Sequence, residues 1–269
     1  MKLLDGRELA GYVKERQAKE VRRLASAKLR PHLAIVSEGE NPVNELYLKV
    51  KRKYGQDIGI EVFLHKTTNS TDSKKKILEL NEDQKISAII VQLPILDTSK
   101  TDEVVNLIDP AKDVDGLGKE SEFESATATA IMWLIAGYNI NIESKNVVVI
   151  GRGRLVGGPV VKLLKSSGIN PTVLDENSSD FDKNVSSADL IISAAGQPGL
   201  LTSKIIKQGA VVVDAGSASE DGQVKGDAAP ELFNRQDLTI TPKTGGVGPL
   251  TVAALFDNVL RAARAKVSP

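Results

Sequence analysis

The chain has 269 residues, enough for two modest domains. Lys+Arg and Asp+Glu both number 35, so bulk charge gives no reason to expect a nucleic-acid or membrane-surface partner. Cysteine is absent, which excludes disulfides, thiolate nucleophiles and cysteine-ligated metals, and with only His32 and His65 no bound metal is expected.

The first residues turn polar too early for a secretory signal, and no apolar run reaches the roughly 18 residues of a membrane span. The expectation is a soluble, cytoplasmic protein. A helix is predicted from Gly6 to about Leu29, then a strand at Leu33–Val36. The turn-rich Glu38-Gly39-Glu40-Asn41-Pro42 leads into a helix from about Asn44 to Gly55. A strand at Ile60–Leu64, a helix at Ser73–Leu80 and a buried strand at Ile86–Val91 follow, ending at Gln92-Leu93-Pro94. A second unit starts near residue 122, with a helix at Ala130–Gly137 and a strand at Asn146–Ile150. Helix Pro159–Ser167 and strands at Thr172–Leu174, Asp189–Ser193 and Ala210–Asp214 come next. A last helix runs from Thr251 to about Lys266. The βαβα alternation predicts an α/β protein with parallel sheets.

The segment after Ile150 reads Gly151-Arg152-Gly153-Arg154-Leu155-Val156-Gly157-Gly158-Pro159. Glycines between an apolar strand and a helix let the backbone approach a pyrophosphate, and the helix N-terminus offers unpaired N–H groups. The spacing G-x-G-x-x-x-G is one residue longer than the usual dinucleotide fingerprint. A glycine-rich turn without a ligand is the competing reading. Arg152 could pair with a 2′-phosphate and favour NADP. Asp175 lies about 20 residues on, where an acid commonly binds the ribose hydroxyls of NAD. The two indications conflict.

Tyr47 and Lys51 are four apart and share a helix face. A ring and an amine there could hold a flat heterocycle and move a proton, if burial or neighbours lower the lysine pKa. Gln92, at a strand's C-terminal end, could orient Lys51, and Asp115 in the turn Lys112-Asp113-Val114-Asp115-Gly116 could accept N–H groups of a pterin-like ring. On the residues alone, each also reads as a solvated helix face, a strand end or a plain turn.

These motifs together resemble the bifunctional methylenetetrahydrofolate dehydrogenase/methenyltetrahydrofolate cyclohydrolase family, nearly end to end. Asn41-Pro42 with Tyr47-x-x-x-Lys51 is similar to its catalytic helix, and Val91-Gln92-Leu93-Pro94 and Pro110-x-Lys112-Asp113-Val114-Asp115-Gly116 to two further signatures. The Gly151 loop, Ala195-Gly196-Gln197-Pro198, Gly226-Asp227 and Thr241-Pro242 with Gly245-Gly246-Val247-Gly248-Pro249-Leu250-Thr251-Val252 extend the match. The resemblance implies a catalytic folate domain (1–121 and 249–269) and a Rossmann-type NAD(P) domain (122–248), with the C-terminal helix returning to the N-terminal domain. It implies oxidation of 5,10-methylenetetrahydrofolate by NADP, with NAD possible, then hydrolysis to 10-formyltetrahydrofolate. Lys51 would assist proton transfer, Gln92 tune it, Tyr47 stack on the folate and Asp115 hold the pterin. Leu93, Pro94, Gly246 and Pro249 would add substrate contacts. Gly151, Arg152, Gly153, Val156, Gly157, Asp175, Ser178, Gly196 and Gln197 would hold the dinucleotide. A homodimer is implied as well.

The chain departs from the family pattern in places. Only ten positions separate Asp115 from Ser125, where the family has a longer segment, and Ser125-Ala126-Thr127-Ala128 keeps only the threonine of its Pro-Cys-Thr-Pro motif. Gly153 replaces a loop serine, Thr244 a proline, and Asn44 a frequent serine. Asn177-Ser178 stands for a His-Ser pair. A non-catalytic or dehydrogenase-only paralogue binding folate or NAD(P) is the alternative, and a different Rossmann dehydrogenase of the same plan a third reading.

Overall fold

Short runs of Val, Ile and Leu alternate with amphipathic segments, and in the computed structural model they form two parallel sheets. Residues 1–220 and 223–266 are described. In chain order the elements are β1 (Lys2–Leu3), α1 (Gly6–Ser26), β2 (His32–Glu38), α2 (Pro42–Ile58), β3 (Glu61–Thr67), α3 (Ser70–Glu82), β4 (Ala88–Gln92), α4 (Thr101–Val105) and α5 (Ala126–Gly137). Then come β5 (Val147–Ile150), α6 (Gly157–Ser166), β6 (Thr172–Leu174), α7 (Phe181–Ser187), β7 (Leu190–Ser193), β8 (Val211–Asp214), β9 (Ala218–Glu220), β10 (Gln223–Lys225), β11 (Thr239–Ile240) and α8 (Val247–Ala265). No helix among the described residues is long and apolar enough to cross a membrane.

Contacts divide the chain into two units. One takes Gly11–Ala126 and the chain from Val252 on; the other takes Met1–Ala10 and Thr127–Thr251. The first has a three-stranded sheet in the order β3-β2-β4, with Leu33 opposite Ala88 and Ser37 opposite Gln92. Every residue of β4 is buried, as expected of a parallel strand covered on both faces. Ala34, Val36, Ile77, Ile89, Val91 and Val104 form its core. Residues of α8 close this unit: Phe256 stacks on Tyr54 with ring centroids 5.0 Å apart, and the buried Gln17 amide donates to the Ala253 carbonyl at 2.8 Å. The Tyr54 hydroxyl donates to Gln17 Oε1 at 2.8 Å, so both polar groups in this apolar contact are satisfied.

The other unit carries a six-stranded parallel sheet in the order β1-β11-β8-β7-β5-β6. Its order reverses beside β5, the arrangement that places ligands at the C-terminal strand ends in doubly wound sheets. Val148, Ile150, Ile191, Val212 and Ile240 are fully buried within it. The hairpin β9–β10 pairs antiparallel apart from this sheet.

Five helices start earlier than the sequence predicts: α3 at Ser70, α5 at Ala126 and α6 at Gly157, and also α2 and α8. α2 begins at Pro42, because Asn41 Oδ1 accepts the Asn44 N–H at 3.3 Å and proline suits the first helical position. α8 begins at Val247, inside a glycine-rich stretch that reads as loop. Glu38, expected in a turn, ends β2 instead and is 2% exposed. Its carboxylate accepts Ser73 Oγ at 2.9 Å and the Leu96 N–H at 3.1 Å, bonds that make the burial tolerable. β1, β11, β9 and β10 have two or three residues each, too few for any periodicity to announce them.

Candidate active site

In the unit with the three-stranded sheet, α2 buries Asn44, Leu48, Tyr54 and Ile58, and this sets its rotation. Tyr47 and Lys51 flank that stripe and are half-buried. Lys51 Nζ donates to Gln92 Oε1 at 3.0 Å. Gln92 Nε2 donates to the Leu93 carbonyl at 3.0 Å, which orients the amide with its oxygen toward the ammonium. The Leu93–Pro94 bond is cis, and the Pro94 carbonyl accepts the Asn44 side chain at 3.2 Å. Burial pushes the Lys51 pKa down, and the Asp115 carboxylate pulls it back up. Burial pushes the Asp115 carboxyl up, and Lys51 opposes that shift. Burial also raises the Tyr47 hydroxyl pKa. The result is an amine more readily deprotonated than a surface lysine, held by an amide and beside a carboxylate.

Asp115 sits in a turn anchored on both sides. Lys112, whose pKa burial lowers, donates to the carbonyls of Leu80, Asn81 and Asp83 at 2.6–3.0 Å, at the C-terminal end of α3. A cation there also meets the negative end of the helix dipole. Asn258 of α8 donates to the Val114 and Glu124 carbonyls at 2.9 and 3.1 Å. The segment after Gly116 folds back on Asp113: Gly118 N–H donates to Asp113 Oδ2 at 2.7 Å and Ser121 Oγ to the Asp113 carbonyl at 2.9 Å.

Burial raises the Asp113 carboxyl to about 6; the Gly118 N–H opposes this and the Asp115 charge adds to it. A raised carboxyl pKa means that the folded state binds the proton more tightly, so stability falls as pH rises from about 4 to 6. The shift corresponds to at most about 3 kcal/mol. Asp113→Asn removes this titration. Urea unfolding from pH 4 to 7 is expected to show wild type losing about 2–3 kcal/mol relative to the variant. A pH-independent difference would contradict this titration.

In the unit with the six-stranded sheet, β5 runs directly into the glycine loop. A Cβ on Gly157 would lie 2.1 Å from the Gly151 carbonyl oxygen, and one on Gly151, whose φ is +98°, would lie 2.4 Å from the Ala194 oxygen. Only glycine fits at either place. Gly153 accepts the Gly158 N–H at 3.0 Å, and Val156 precedes the first turn of α6. The loop joins β5 directly to α6, the strand–glycine–helix order that the sequence pattern predicts. Arg152 and Asp175, the two conflicting cofactor indicators, bind each other: Arg152 Nε lies 3.2 Å from Asp175 Oδ2 and its Nη2 donates to the Val173 carbonyl at 2.9 Å. Arg152 holds the Asp175 carboxyl below its ordinary value, helped by the Asn177 N–H. Ser178 Oγ accepts the Asp175 N–H at 3.0 Å.

Gly196 (φ +66°) and Gln197 lie beyond the end of β7 and are exposed. Gly246 is buried, with Thr241 nearest to its missing Cβ, and the neighbouring Gly245 carbonyl accepts the Gly6 N–H at 2.9 Å. Pro249 stands in the first turn of α8. Both belong to the unit that carries the glycine loop, whereas Tyr47, Lys51, Gln92, Leu93, Pro94 and Asp115 belong to the other. Sequence reasoning did not assign Glu38, Lys112, Asn258 or Asp214 to any site; each acts through partners distant in the chain.

The family model of the tetrahydrofolate dehydrogenase/cyclohydrolase catalytic domain matches residues 4–115, and that of the NAD(P)-binding domain matches residues 125–267. The chain belongs to the tetrahydrofolate dehydrogenase/cyclohydrolase family. It is 35% identical over 274 aligned residues to the bifunctional protein FolD of Staphylococcus epidermidis, covering 97% of this chain and 96% of that one. The structure of the bifunctional FolD from Campylobacter jejuni superposes with a TM-score of 0.93 at 33% identity, over 99% of both chains. The Trypanosoma brucei enzyme, complexed with NADP and an inhibitor, gives 0.92 at 30% identity, over 99% of this chain and 98% of that one. As a family member the chain is a bifunctional dehydrogenase and cyclohydrolase of one-carbon folate chemistry, and a non-catalytic paralogue is not favoured.

Proposed function

We propose that the chain oxidises 5,10-methylenetetrahydrofolate with NADP and hydrolyses the methenyl cation to 10-formyltetrahydrofolate, with Lys51 as the group that moves protons. The observation that carries this reading is the Lys51–Gln92 hydrogen bond beside Asp115. In this reading the unit with the three-stranded sheet is the folate domain and the unit with the six-stranded sheet the dinucleotide domain. Tyr47 stacks on the pterin, Asp115 accepts its N–H groups, and Leu93 and Pro94 complete the folate contacts within this unit.

Bound NADP supplies the acceptor for the hydride that leaves the methylene carbon. The methenyl cation is already electrophilic, so hydrolysis needs positioning and proton management. Water adds to the methenyl carbon and loses one proton to the Lys51 amine. As the carbon–N5 bond breaks, N5 gains a proton and the hydroxyl loses one, leaving the formyl group on N10. Gln92 holds the amine in place, and burial, which lowers the Lys51 pKa, favours the neutral form that accepts the proton. Gly151, Gly153, Val156 and Gly157 fit a pyrophosphate, with Gly196 and Gln197 adding contacts. Arg152 takes the 2′-phosphate, and Asp175 and Ser178 adjoin the ribose.

The test is a paired spectrophotometric assay with NADP and NAD. Reduced cofactor is expected to accumulate with methylenetetrahydrofolate, and methenyl absorbance to decay faster with enzyme. A chain doing neither would defeat the reading. Because Asp175 neutralises Arg152, it competes with a 2′-phosphate for the guanidinium. Asp175→Ala is expected to raise the NADP-over-NAD ratio of kcat/KM about fivefold; an unchanged ratio would remove Asp175 from the site. We further propose a cytoplasmic homodimer, a reading supported by the family resemblance and, for the compartment, by the cysteine-free sequence. Sedimentation at micromolar concentration tests the dimer.

A further inference from the structure

Beyond the end of β7 the chain turns through Ala194 to Gln197, packed against Gly151 of the glycine loop. This turn contains no charged side chain of its own, yet its path is determined by one. Asp227 is fully buried, and its carboxylate accepts three bonds from the turn and the strand before it: Ser193 Oγ at 2.6 Å and the Ala195 N–H at 2.9 Å on Oδ2, and the Gln197 N–H at 2.7 Å on Oδ1. Both oxygens are used, and a carboxylate is the side chain that can only accept.

Asp227 is itself held by a second, half-buried carboxylate. Asp214, the last residue of β8, accepts the Gly216 N–H at 2.9 Å and the N–H groups of Asp227 and Ala228 at 3.0 and 2.9 Å. Its own N–H donates to Thr241 Oγ1 at 3.0 Å, just past β11. The approach is close enough to demand glycine on both sides. A Cβ on Gly216 would lie 2.4 Å from Asp227 Oδ1, and one on Gly226 would lie 2.2 Å from Asp214 Oδ2. The two carboxylates thus tie the C-terminal ends of β7, β8 and β11 together at the edge where doubly wound sheets bind ligands.

We infer that Asp227 is the positioning residue that shapes the Ala195–Gln197 turn for the dinucleotide. The inference rests on the reading that Gly196 and Gln197 contact the dinucleotide. Asp227→Asn keeps the size but presents an NH2 group to donors that need an acceptor, leaving at least one buried donor unpaired. The turn then relaxes, while the hydrolytic residues around Lys51, in the other unit, keep their own bonds.

The test uses the full chain. NADP affinity is measured by titration calorimetry, and methenyl hydrolysis is measured without dinucleotide in the same preparations. For Asp227→Asn the expected result is a Kd for NADP raised about tenfold or more, with hydrolysis within about twofold of wild type. Ser193→Ala, which removes one of the three bonds, is expected to move Kd in the same direction by a smaller factor. It keeps the inference testable if Asp227→Asn does not fold. Unchanged NADP affinity in either folded variant overturns the inference, as does a parallel fall of hydrolysis, which marks a merely structural role. Gln197→Ala separates the two layers. If it weakens NADP binding while Asp227→Asn does not, the positioning role is wrong; if it has no effect, the placement of the turn in the dinucleotide site is wrong, and this inference falls with it.

Discussion

Lys51→Met is expected to lower methenyl hydrolysis by about 10²–10⁴-fold, the range a positioned acid–base group supplies. Methionine keeps most of the volume and the apolar stem but has no proton to give or take. It also leaves Gln92 Oε1 without its donor and Asp115 without its cation. Asp115, already pushed up by burial, becomes still easier to protonate, so residual activity should depend on pH differently from wild type. In the proposed role of Lys51 as proton acceptor, the active form of the wild type is the neutral amine. Lys51 titrates below an ordinary lysine, so the rate is expected to rise with pH and level off once the amine is deprotonated, earlier than a surface lysine would allow. Full hydrolytic activity in Lys51→Met would remove Lys51 from the chemistry.

Gly157→Ala is the second large effect. The added methyl would lie 2.1 Å from the Gly151 carbonyl oxygen, against backbone on a loop that cannot yield without changing its path. NADP affinity is expected to fall by about 100-fold or more, since in the proposed function two or three phosphate contacts of at least about 1 kcal/mol each depend on that backbone path. Methenyl hydrolysis without dinucleotide should persist, because Lys51, Gln92 and Asp115 belong to the other unit. Equal loss of both activities would show instead that the substitution unfolds the chain. Calorimetric titration and the hydrolysis assay together distinguish these outcomes.

Sequence reasoning reached these two sites by different routes. The strand–glycine–helix pattern at Val147–Ser166 is local, so the loop was legible from spacing alone. The Lys51 cluster was not. Tyr47 and Lys51 share a face by helix geometry, but nothing local separates them from a solvated pair; the family resemblance singled them out. The supporting residues were illegible for a further reason. Asn258 reaches the Val114 carbonyl across 144 positions, and Glu38 reaches the Leu96 N–H across 58. No period or short motif reports a bond of that span, and a buried glutamate at the end of β2 reads as a turn residue until its donors are seen. The conflict between Arg152 and Asp175 has a similar origin: each reads separately as a cofactor indicator, and their pairing with each other spans 23 positions.

Neither unit is a continuous stretch of chain. The six-stranded sheet recruits β1 from the first residues, and the three-stranded one is closed by residues after Val252. A ribosome that has released half of this polypeptide has therefore completed neither layer set. Phe256, Ala253 and Asn258 arrive only with the final helix, so Tyr54 and Gln17 wait for their neighbours until then. Cutting the gene once, at any point, would leave two fragments that each lack a piece of what they are meant to enclose. Such fragments should recover solubility and activity only when made together, the behaviour of a knot tied from both ends.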